Sequence, residues 1–266
     1  MKKILLLLLI LLLPAVSFAE VWKTPVLNAP YEYSYQDERR SIVINRVERD
    51  GASCLVADVQ IADASGFMAV SIGDSCISDE AGKAGAVLAF NSDNYGAHDY
   101  GIIIRDGQLI RANDTTRHML ALLPDGSLHT ISDRKIKKPK TVAQKLLDMG
   151  VIHTFEFGPV LVLGGQAVGF PQSFDLISTR SSRLEPRTAI GMIEPLHYLV
   201  IVADGRQPGY SDGLSLQSLQ QMFVDYGVQT ALNLDGGGSA EMWFQGEVIS
   251  QPSGGHERRL TDMICF

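Results

Sequence analysis

Apolar residues in this chain fall mostly in short runs rich in β-branched side chains and separated by glycine, aspartate and asparagine, the pattern of strands joined by tight turns. Strands are predicted at Ser53–Ile61, Ala86–Phe90, Gly101–Ile104, Ile152–Phe157, Pro159–Leu163, Tyr198–Ala203, Thr230–Leu234 and Ala240–Phe244. Asp106-Gly107 and Gln245-Gly246 sit between apolar runs as hairpin turns, and Asp125-Gly126 marks another turn. Helical spacing is rarer. Leu216, Leu219, Met222, Phe223 and Tyr226 form one apolar stripe, with Ser215 placed to cap its start and Gly227 to stop it. A second helix is predicted over Val142–Met149, ending at Gly150, and a weaker one near Ser78–Lys83. The expected class is α+β, a single domain of mixed, largely antiparallel β-sheet with a few packed helices. That domain is expected over residues 53–266, with residues 20–52 as an N-terminal lead-in, since no internal repeat or long linker divides the chain.

The first nineteen residues follow a different pattern. Lys2 and Lys3 precede an unbroken apolar run from Ile4 to Leu13, then Pro14, and Ser17-Phe18-Ala19 offers small residues at the two positions a signal peptidase reads. This predicts a secretory signal peptide over residues 1–19, cleaved after Ala19, and an exported protein, periplasmic or extracellular. The apolar run is short of the ~20 residues that span a bilayer, so no stable membrane insertion is expected after cleavage. With 45% hydrophobic and 20% charged residues in 266, disorder and coiled coil are excluded, and a net charge of −7 argues against broad nucleic-acid binding. The basic run Arg134–Lys140, beside Pro139 in a turn-rich stretch, reads as a solvated loop. Three cysteines, Cys54, Cys76 and Cys265, show no CxxC pair and no histidine at metal-ligand spacing. Cys54 and Cys76 are candidates for a disulfide in an oxidising compartment; the alternative is three small buried hydrophobes.

The last third concentrates glycine, arginine and aspartate. Two apolar strands run into Asp-Gly, at Val202-Ala203-Asp204-Gly205-Arg206 and at Leu232-Asn233-Leu234-Asp235-Gly236-Gly237-Gly238-Ser239, so each places a carboxylate at a strand end where the chain turns sharply. Gly236, Gly237 and Gly238 pack no side chain and suit close approach of backbone N–H groups to a ligand oxygen, with the Ser239 hydroxyl beside them. Arg187, Arg206 and Arg258 stand beside glycine-rich turns, and the planar guanidinium fork suits phosphate oxygens. The glycine run lacks the Lys-Ser/Thr of a phosphate loop and the spacing of a dinucleotide fold, and Ser239 is not in GxSxG.

In order along the chain, Ala89-Phe90-Asn91-Ser92-Asp93, Phe157-Gly158-Pro159, Pro186-Arg187-Thr188-Ala189-Ile190-Gly191, Asp204-Gly205-Arg206 and the Asn233–Ser239 block resemble the phosphodiester glycosidase family, over about Val56 to Phe266. The chain departs from the family where Asn91-Ser92-Asp93 replaces Asn-Gly-Gly and where Asp262 stands in place of a common Asn. The resemblance implies hydrolysis of a sugar-1-phosphodiester in an envelope or extracellular glycan, with that phosphodiester-linked glycan as substrate and no cofactor. Under it Asp235 is the carboxylate acting as base or nucleophile and Asp204 its partner. Arg187, Arg206, Arg258 and the Gly236–Ser239 backbone hold phosphate, and Asn91 and Asp93 hold sugar hydroxyls. Glu156, just before Phe157, is left outside the core site. Two alternatives stay open. One is a metal-dependent phosphodiesterase in which Asp93, Asp204 and Asp235 hold Mg²⁺ or Ca²⁺, although the chain has no tight acidic ligand loop. The other is a non-catalytic envelope protein that binds or assembles glycans.

Overall fold

The computed structural model describes residues 22–131, 136–170 and 182–266. The leader predicted over residues 1–19 and part of the basic run Arg134–Lys140 lie outside the described residues. The largest sheet has eight strands, in spatial order Tyr33–Gln36, Arg40–Arg49, Ala52–Ile61, His197–Ala203, Arg187–Glu194, Thr230–Asn233, Val160–Leu163 and Gln166–Ala167. Every residue of the two central strands, Ala52–Ile61 and His197–Ala203, is buried, which is why both are almost continuously apolar in sequence.

The two-residue period of a strand splits this sheet into two apolar faces. Leu55, Ala57, Val59, Tyr198, Val200 and Val202 point to one side, where they meet Leu88, Phe90, Met242, Phe244, Ile264 and Phe266 of a second sheet. That sheet has five strands, in the order Glu247–Val248, Met242–Phe244, Leu88–Asn91, Leu260–Cys265 and Met68–Ser75. Leu120 and Phe155 join the same core from a three-stranded sheet of His153–Phe157, His118–Leu122 and Leu128–Ile131. Cys54, Val56, Leu199, Ile201 and Ala203 point the other way, onto Leu216, Leu219, Met222 and Phe223 of a helix. Two further helices, Ile77–Glu80 and Pro139–Asp148, cover the outer faces of the smaller sheets. All the strand pairs are antiparallel, as in the hairpin from Ile102–Arg105 to Gln108–Ala112, so the architecture is the expected α+β domain.

Each predicted strand forms, with bounds shifted by a residue or two. The turns at Asp106-Gly107 and Gln245-Gly246 place both residues of each pair at positive φ, the conformation that matches strand twist in a two-residue hairpin. Helix Leu216–Asp225 starts where Ser215 caps it, the Ser215 hydroxyl accepting from the Ser218 N–H at 3.0 Å. The helix predicted over Val142–Met149 begins earlier, at Pro139, because proline is accommodated in a first helical turn. Among the described residues no helix is long and apolar enough to cross a membrane.

One expectation is corrected, and one open alternative is decided. The stretch 20–52 is not a lead-in: Arg40–Arg49 pairs with Ala52–Ile61 along its whole length, through a turn at Asp50-Gly51, and Tyr33–Gln36 extends the sheet further. Cys54 and Cys76 are not bonded; all three cysteines are free thiols, and burial pushes those of Cys54 and Cys265 up to about 12. Cys54 and Cys265 belong to the packing of the sheets, and Cys76 precedes the short helix Ile77–Glu80.

Antiparallel order also gathers the glycine-rich motifs. Arg187 lies opposite Ala203, Ala189 opposite Asn233, and Val160 opposite Leu232. The segments beginning at Asp204 and Leu234 therefore leave the sheet at the end where Arg187 enters it, and Phe157-Gly158-Pro159 arrives at the same end. Gly191 lets this part of the sheet seat its helix. A β-carbon there would come within 2.6 Å of Val228 Cγ1, 3.0 Å of Phe223 Cδ1 and 3.0 Å of the Thr230 carbonyl. G191A should accordingly lower stability by about 1–3 kcal/mol through overpacking. Urea unfolding of the two proteins checks this, and an unchanged midpoint would show that the helix yields freely.

Candidate active site

At that sheet end lies a cavity of about 220 Å³, with Asp235, the glycine turn and the guanidinium groups of Arg187, Arg206 and Arg258 on its walls, together with Phe157, Glu185 and Asn233. Asp235 is partly exposed there. Its position is fixed from behind: Asn91 Nδ2 donates to its carbonyl at 2.7 Å, and its own N–H donates to the Ser92 carbonyl at 3.3 Å. Burial pushes the Asp235 carboxyl above the usual aspartate range, against hydrogen bonds from Ser239 and the Gly236 N–H and the charges of Arg258 and Arg117.

The arginines are held in different ways. Arg187, 3% exposed, donates from Nε to the Leu214 carbonyl at 3.0 Å and from Nη2 to the Arg183 carbonyl at 2.8 Å. Its burial lowers it to about 10, so it remains a cation at neutral pH. Arg206 donates from Nε to Glu185 Oε2 at 2.6 Å, and Glu185 also pairs with Arg183. Arg258 is exposed and donates to the Ser239 hydroxyl at 3.3 Å.

The glycines serve close packing of the protein against itself. A β-carbon on Gly236 would lie 2.7 Å from the Pro186 carbonyl, and one on Gly237, at φ +60°, would lie 3.0 Å from Arg206 Nη2. The expected cradle of backbone donors is not present at three of its four positions. The Gly236 N–H goes to Asp235 Oδ1, Gly237 to the Pro186 carbonyl and Ser239 to the Gly236 carbonyl. Gly238 lies beside Arg258 at ordinary contact distance. Donors toward the cavity are therefore chiefly guanidinium groups.

Other residues expected at the site stand behind or apart from it. Asn91 is 1% exposed, and its Oδ1 accepts from the Thr188 hydroxyl and the Glu241 N–H, so it braces the Asp235 turn instead of facing a sugar. Asp93, also 1% exposed, accepts from Arg105 Nη2 at 3.0 Å and from the Glu156 N–H at 2.7 Å. Asp204 is not on the cavity wall. Its carboxylate is 2% exposed and accepts from Tyr210 Oη at 2.8 Å, the Gln251 N–H at 2.9 Å and Arg46 Nη1 at 3.4 Å, which ties the Asp204 turn to neighbouring segments. The carboxylates of Asp93, Asp204 and Asp235 thus sit in three separate networks. As a Mg²⁺ or Ca²⁺ donor set they do not fit, and among the described residues no three His, Cys, Asp or Glu side chains group to hold a metal ion.

Glu185 at the site and Arg117 beside it are not marked by any motif, and Glu156, set outside the core site on sequence, is not on the cavity wall. Glu185, which anchors Arg206, is adjacent to the Pro186-Arg187 motif, and that adjacency is the signal that was available. Arg117, from the other side of the fold, lies between the rings of Tyr100 and Phe157, 4.9 and 4.8 Å from their centroids. Glu156 is fully buried with Oε2 accepting from the Ile102 N–H at 3.0 Å, and burial pushes it up to about 7. Nothing in local sequence marks Arg117. Under the site, Arg105 Nη2 bridges Asp93 at 3.0 Å and Asp262 at 3.1 Å. Burial, then the Asp93 charge, pushes Asp262 up to about 8, so Asp262 holds a proton at neutral pH.

Known proteins resemble this chain over more than half of its length. The family model described as phosphodiester glycosidase matches residues 81–266, well over half of the chain. A prophage-derived uncharacterized protein of Bacillus subtilis, YomE, is 26% identical over 188 residues, covering 68% of this chain and 28% of the relative. The N-acetylglucosamine-1-phosphodiester alpha-N-acetylglucosaminidase of Mus musculus is 26% identical over 158 residues, covering 58% of this chain and 30% of the relative. The chain thus spans under a third of the length of either. The solved catalytic domain of the zebrafish enzyme of the same name, auto-inhibited by its pro-peptide, shares the fold with a TM-score of 0.66 at 19% identity, covering 85% of this chain and 82% of that one.

The proton held by Asp262 has a thermodynamic signature. An unfolded aspartate ionises near pH 4, whereas folded Asp262 keeps its proton to about pH 8, so the folded state binds the extra proton between those limits and its stability declines as pH rises across them. D262N removes the titrating group and keeps the shape. Its stability relative to the native sequence should therefore grow from pH 5 to pH 8, measured by urea unfolding; a difference independent of pH would show that Asp262 is ionised in the folded protein.

Proposed function

Because the chain belongs to the phosphodiester glycosidase family, we propose that it hydrolyses sugar-1-phosphodiesters, breaking the C–O bond between the anomeric carbon and phosphate. The observation that carries this reading is one cavity with a carboxylate, Asp235, and three guanidinium groups, Arg187, Arg206 and Arg258, on its walls. In such a reaction positive charge develops at the anomeric carbon and negative charge on the departing phosphate, which calls for a carboxylate on one side and fixed donors on the other. The arginines are the donors. Arg187 is rigid because its Nε and Nη2 protons are bonded to main-chain carbonyls, and Arg206 is oriented by Glu185. The leaving group is a phosphate monoester, already a weak base, so the guanidinium groups take over much of what a general acid supplies to an ordinary glycoside.

Asp235 then acts on the anomeric carbon, as the nucleophile or as the base that takes a proton from the attacking water. Its raised pKa makes it a stronger base than an ordinary aspartate. Asn91 and the Ser92 carbonyl hold its turn in place, so the carboxylate is presented without a search among conformations. Asp204 has no place in this step; it secures the turn that carries Arg206. The predicted leader sends the reaction outside the cytoplasm, onto a phosphodiester-linked envelope or extracellular glycan.

Turnover of a panel of sugar-1-phosphodiesters in ¹⁸O-labelled water tests the proposal, with the label located by mass spectrometry. Label should appear on the sugar and chelator should leave the rate unchanged; label on phosphate would sink the reading in favour of P–O cleavage. D235N should fold normally and lose about 10²–10⁴ in kcat, the range for a removed base. R206Q should raise KM by about tenfold, the scale of one charge-assisted hydrogen bond.

A further inference from the structure

We infer that Glu257 is a positioning residue of the anion site: by clasping Ser78 it fastens a strap, residues 251–258, that holds Arg258 on the cavity wall. The strap runs between strand Glu247–Val248 and strand Leu260–Cys265. Its middle is unpacked. A β-carbon on Gly255 would meet nothing within 4 Å, and one on Gly254 only the His256 ring. The bonds of this span, from the Gly255 N–H to the Pro252 carbonyl and from His256 Nδ1 to the Gly254 carbonyl, both 2.9 Å, stay within it. A span with so few contacts has little order of its own, so its ends decide where Arg258 goes.

Each end is tied by a carboxylate. At the first, the Gln251 N–H donates to Asp204 Oδ1 at 2.9 Å, and Gln207 Nε2 donates to the Gln251 carbonyl at 2.8 Å. Asp204 is buried, and Arg46 joins the same knot by donating to the Ile249 carbonyl at 2.7 Å. At the second, the Ser78 N–H donates to Glu257 Oε1 at 3.0 Å and the Ser78 hydroxyl donates to Glu257 Oε2. Both oxygens of one carboxylate are thus held by one residue of helix Ile77–Glu80. Glu241, 2% exposed, adds a third bond: burial, then its hydrogen bond with Glu257, pushes it up to about 9, so at neutral pH it is an acid that donates to Glu257. Against its own burial, the bonds from Glu241 and Ser78 hold Glu257 below the usual glutamate range, as an ionised clasp requires. Arg259 pairs with Asp74 at 3.1 Å, but both of those groups are exposed and the pair adds little.

Arg258 stands between these ties. Its Cδ lies 3.8 Å from where a β-carbon on Gly238 would stand, and Nη1 donates to the Ser239 hydroxyl at 3.3 Å. A long bond to one hydroxyl beside a bare glycine does not fix an exposed arginine against its rotamer entropy. Arg187 and Arg206 are held at the guanidinium itself, by main-chain carbonyls and by Glu185. Glu257 does for Arg258 through the backbone what Glu185 does for Arg206 through the side chain.

The inference rests on the cavity being an anion site, but its first test needs no ligand. Backbone ¹⁵N relaxation of the full mature chain reports the order parameter of the Arg258 amide, expected near the ~0.85 of rigid backbone. E257A should lower it below about 0.6, the range of flexible segments. S78A, which removes one of the two Ser78 bonds from the other side of the clasp, should move it in the same direction and stands in if E257A does not fold. K83Q, which removes the exposed partner of Glu80 beside the same helix, is the control and should leave it in place. An order parameter unmoved in E257A and S78A overturns the inference.

Titration with inorganic phosphate reads the consequence. R258Q should raise Kd about tenfold, the scale of one charge-assisted hydrogen bond, and E257A should do the same. The E257A/R258Q double variant should bind no more weakly than R258Q, because Glu257 acts through Arg258. A loss from E257A that persists in full in the R258Q background overturns the inference, since it marks a general loss of structure. A native chain that binds no phosphate and hydrolyses no phosphodiester, yet shows the drop in order at Arg258 in E257A, would lose the proposed function and keep the clasp.

Discussion

The antiparallel ladder that sets strand Arg187–Glu194 between His197–Ala203 and Thr230–Asn233 is the constraint on which the rest of the site depends. In that register Arg187 faces Ala203, and Asn233 lies two residues along on the opposite neighbour. The Arg206 turn and the Asp235 turn must then emerge on either side of Arg187. A slip of one residue would move every side chain to the other face, sending the apolar set of the central strands into solvent, so packing enforces the register strongly. Burial on both faces of the sheet fixes the chemistry at its end.

Charge is distributed around this frame in a consistent way. Carboxylates under the cavity are each paired off: Asp93 and Asp262 with Arg105, and Asp204 with Arg46 and Tyr210. Removing one partner of such a buried group leaves the other unpaired, a larger cost than the pair is worth as a net contribution. The cavity itself is arranged the other way. Arg187, Arg206, Arg258 and Asp235 share one small volume where the protein supplies more cationic than anionic groups, in a chain whose net charge is −7. Under the proposed function, guanidinium groups held at main-chain carbonyls and at Glu185 are donors oriented before an anion arrives, which is how such donors favour a charge that develops during reaction.

The glycine run shows how one residue type can be read correctly as a need for close approach and still be assigned the wrong visitor. Gly236 and Gly237 are demanded by the Pro186 carbonyl and by the Arg206 side chain, both belonging to the protein. The turn brings two arginine-bearing segments against the Asp235 carboxylate. Its own N–H groups at Gly236, Gly237 and Ser239 are spent in forming it.

What the amino-acid sequence determined by itself was whatever is local or periodic: the strands, the left-handed hairpin turns, the Ser215 cap, and the order of the Arg187, Arg206 and Asp235 motifs that marks the family. Those features rest on side-chain period and turn stereochemistry, which a short window contains. The first two strands were hidden because Tyr33–Gln36 and Arg40–Arg49 carry many polar residues and only pairing with Ala52–Ile61 makes them strands. Tertiary structure alone decided which aspartate reaches the cavity, since Asp204 and Asp235 have the same local grammar and differ only in what packs against them. It also decided that Arg117 stacks between Tyr100 and Phe157, because contact between residues so distant in the chain is set by how the sheets close on one another.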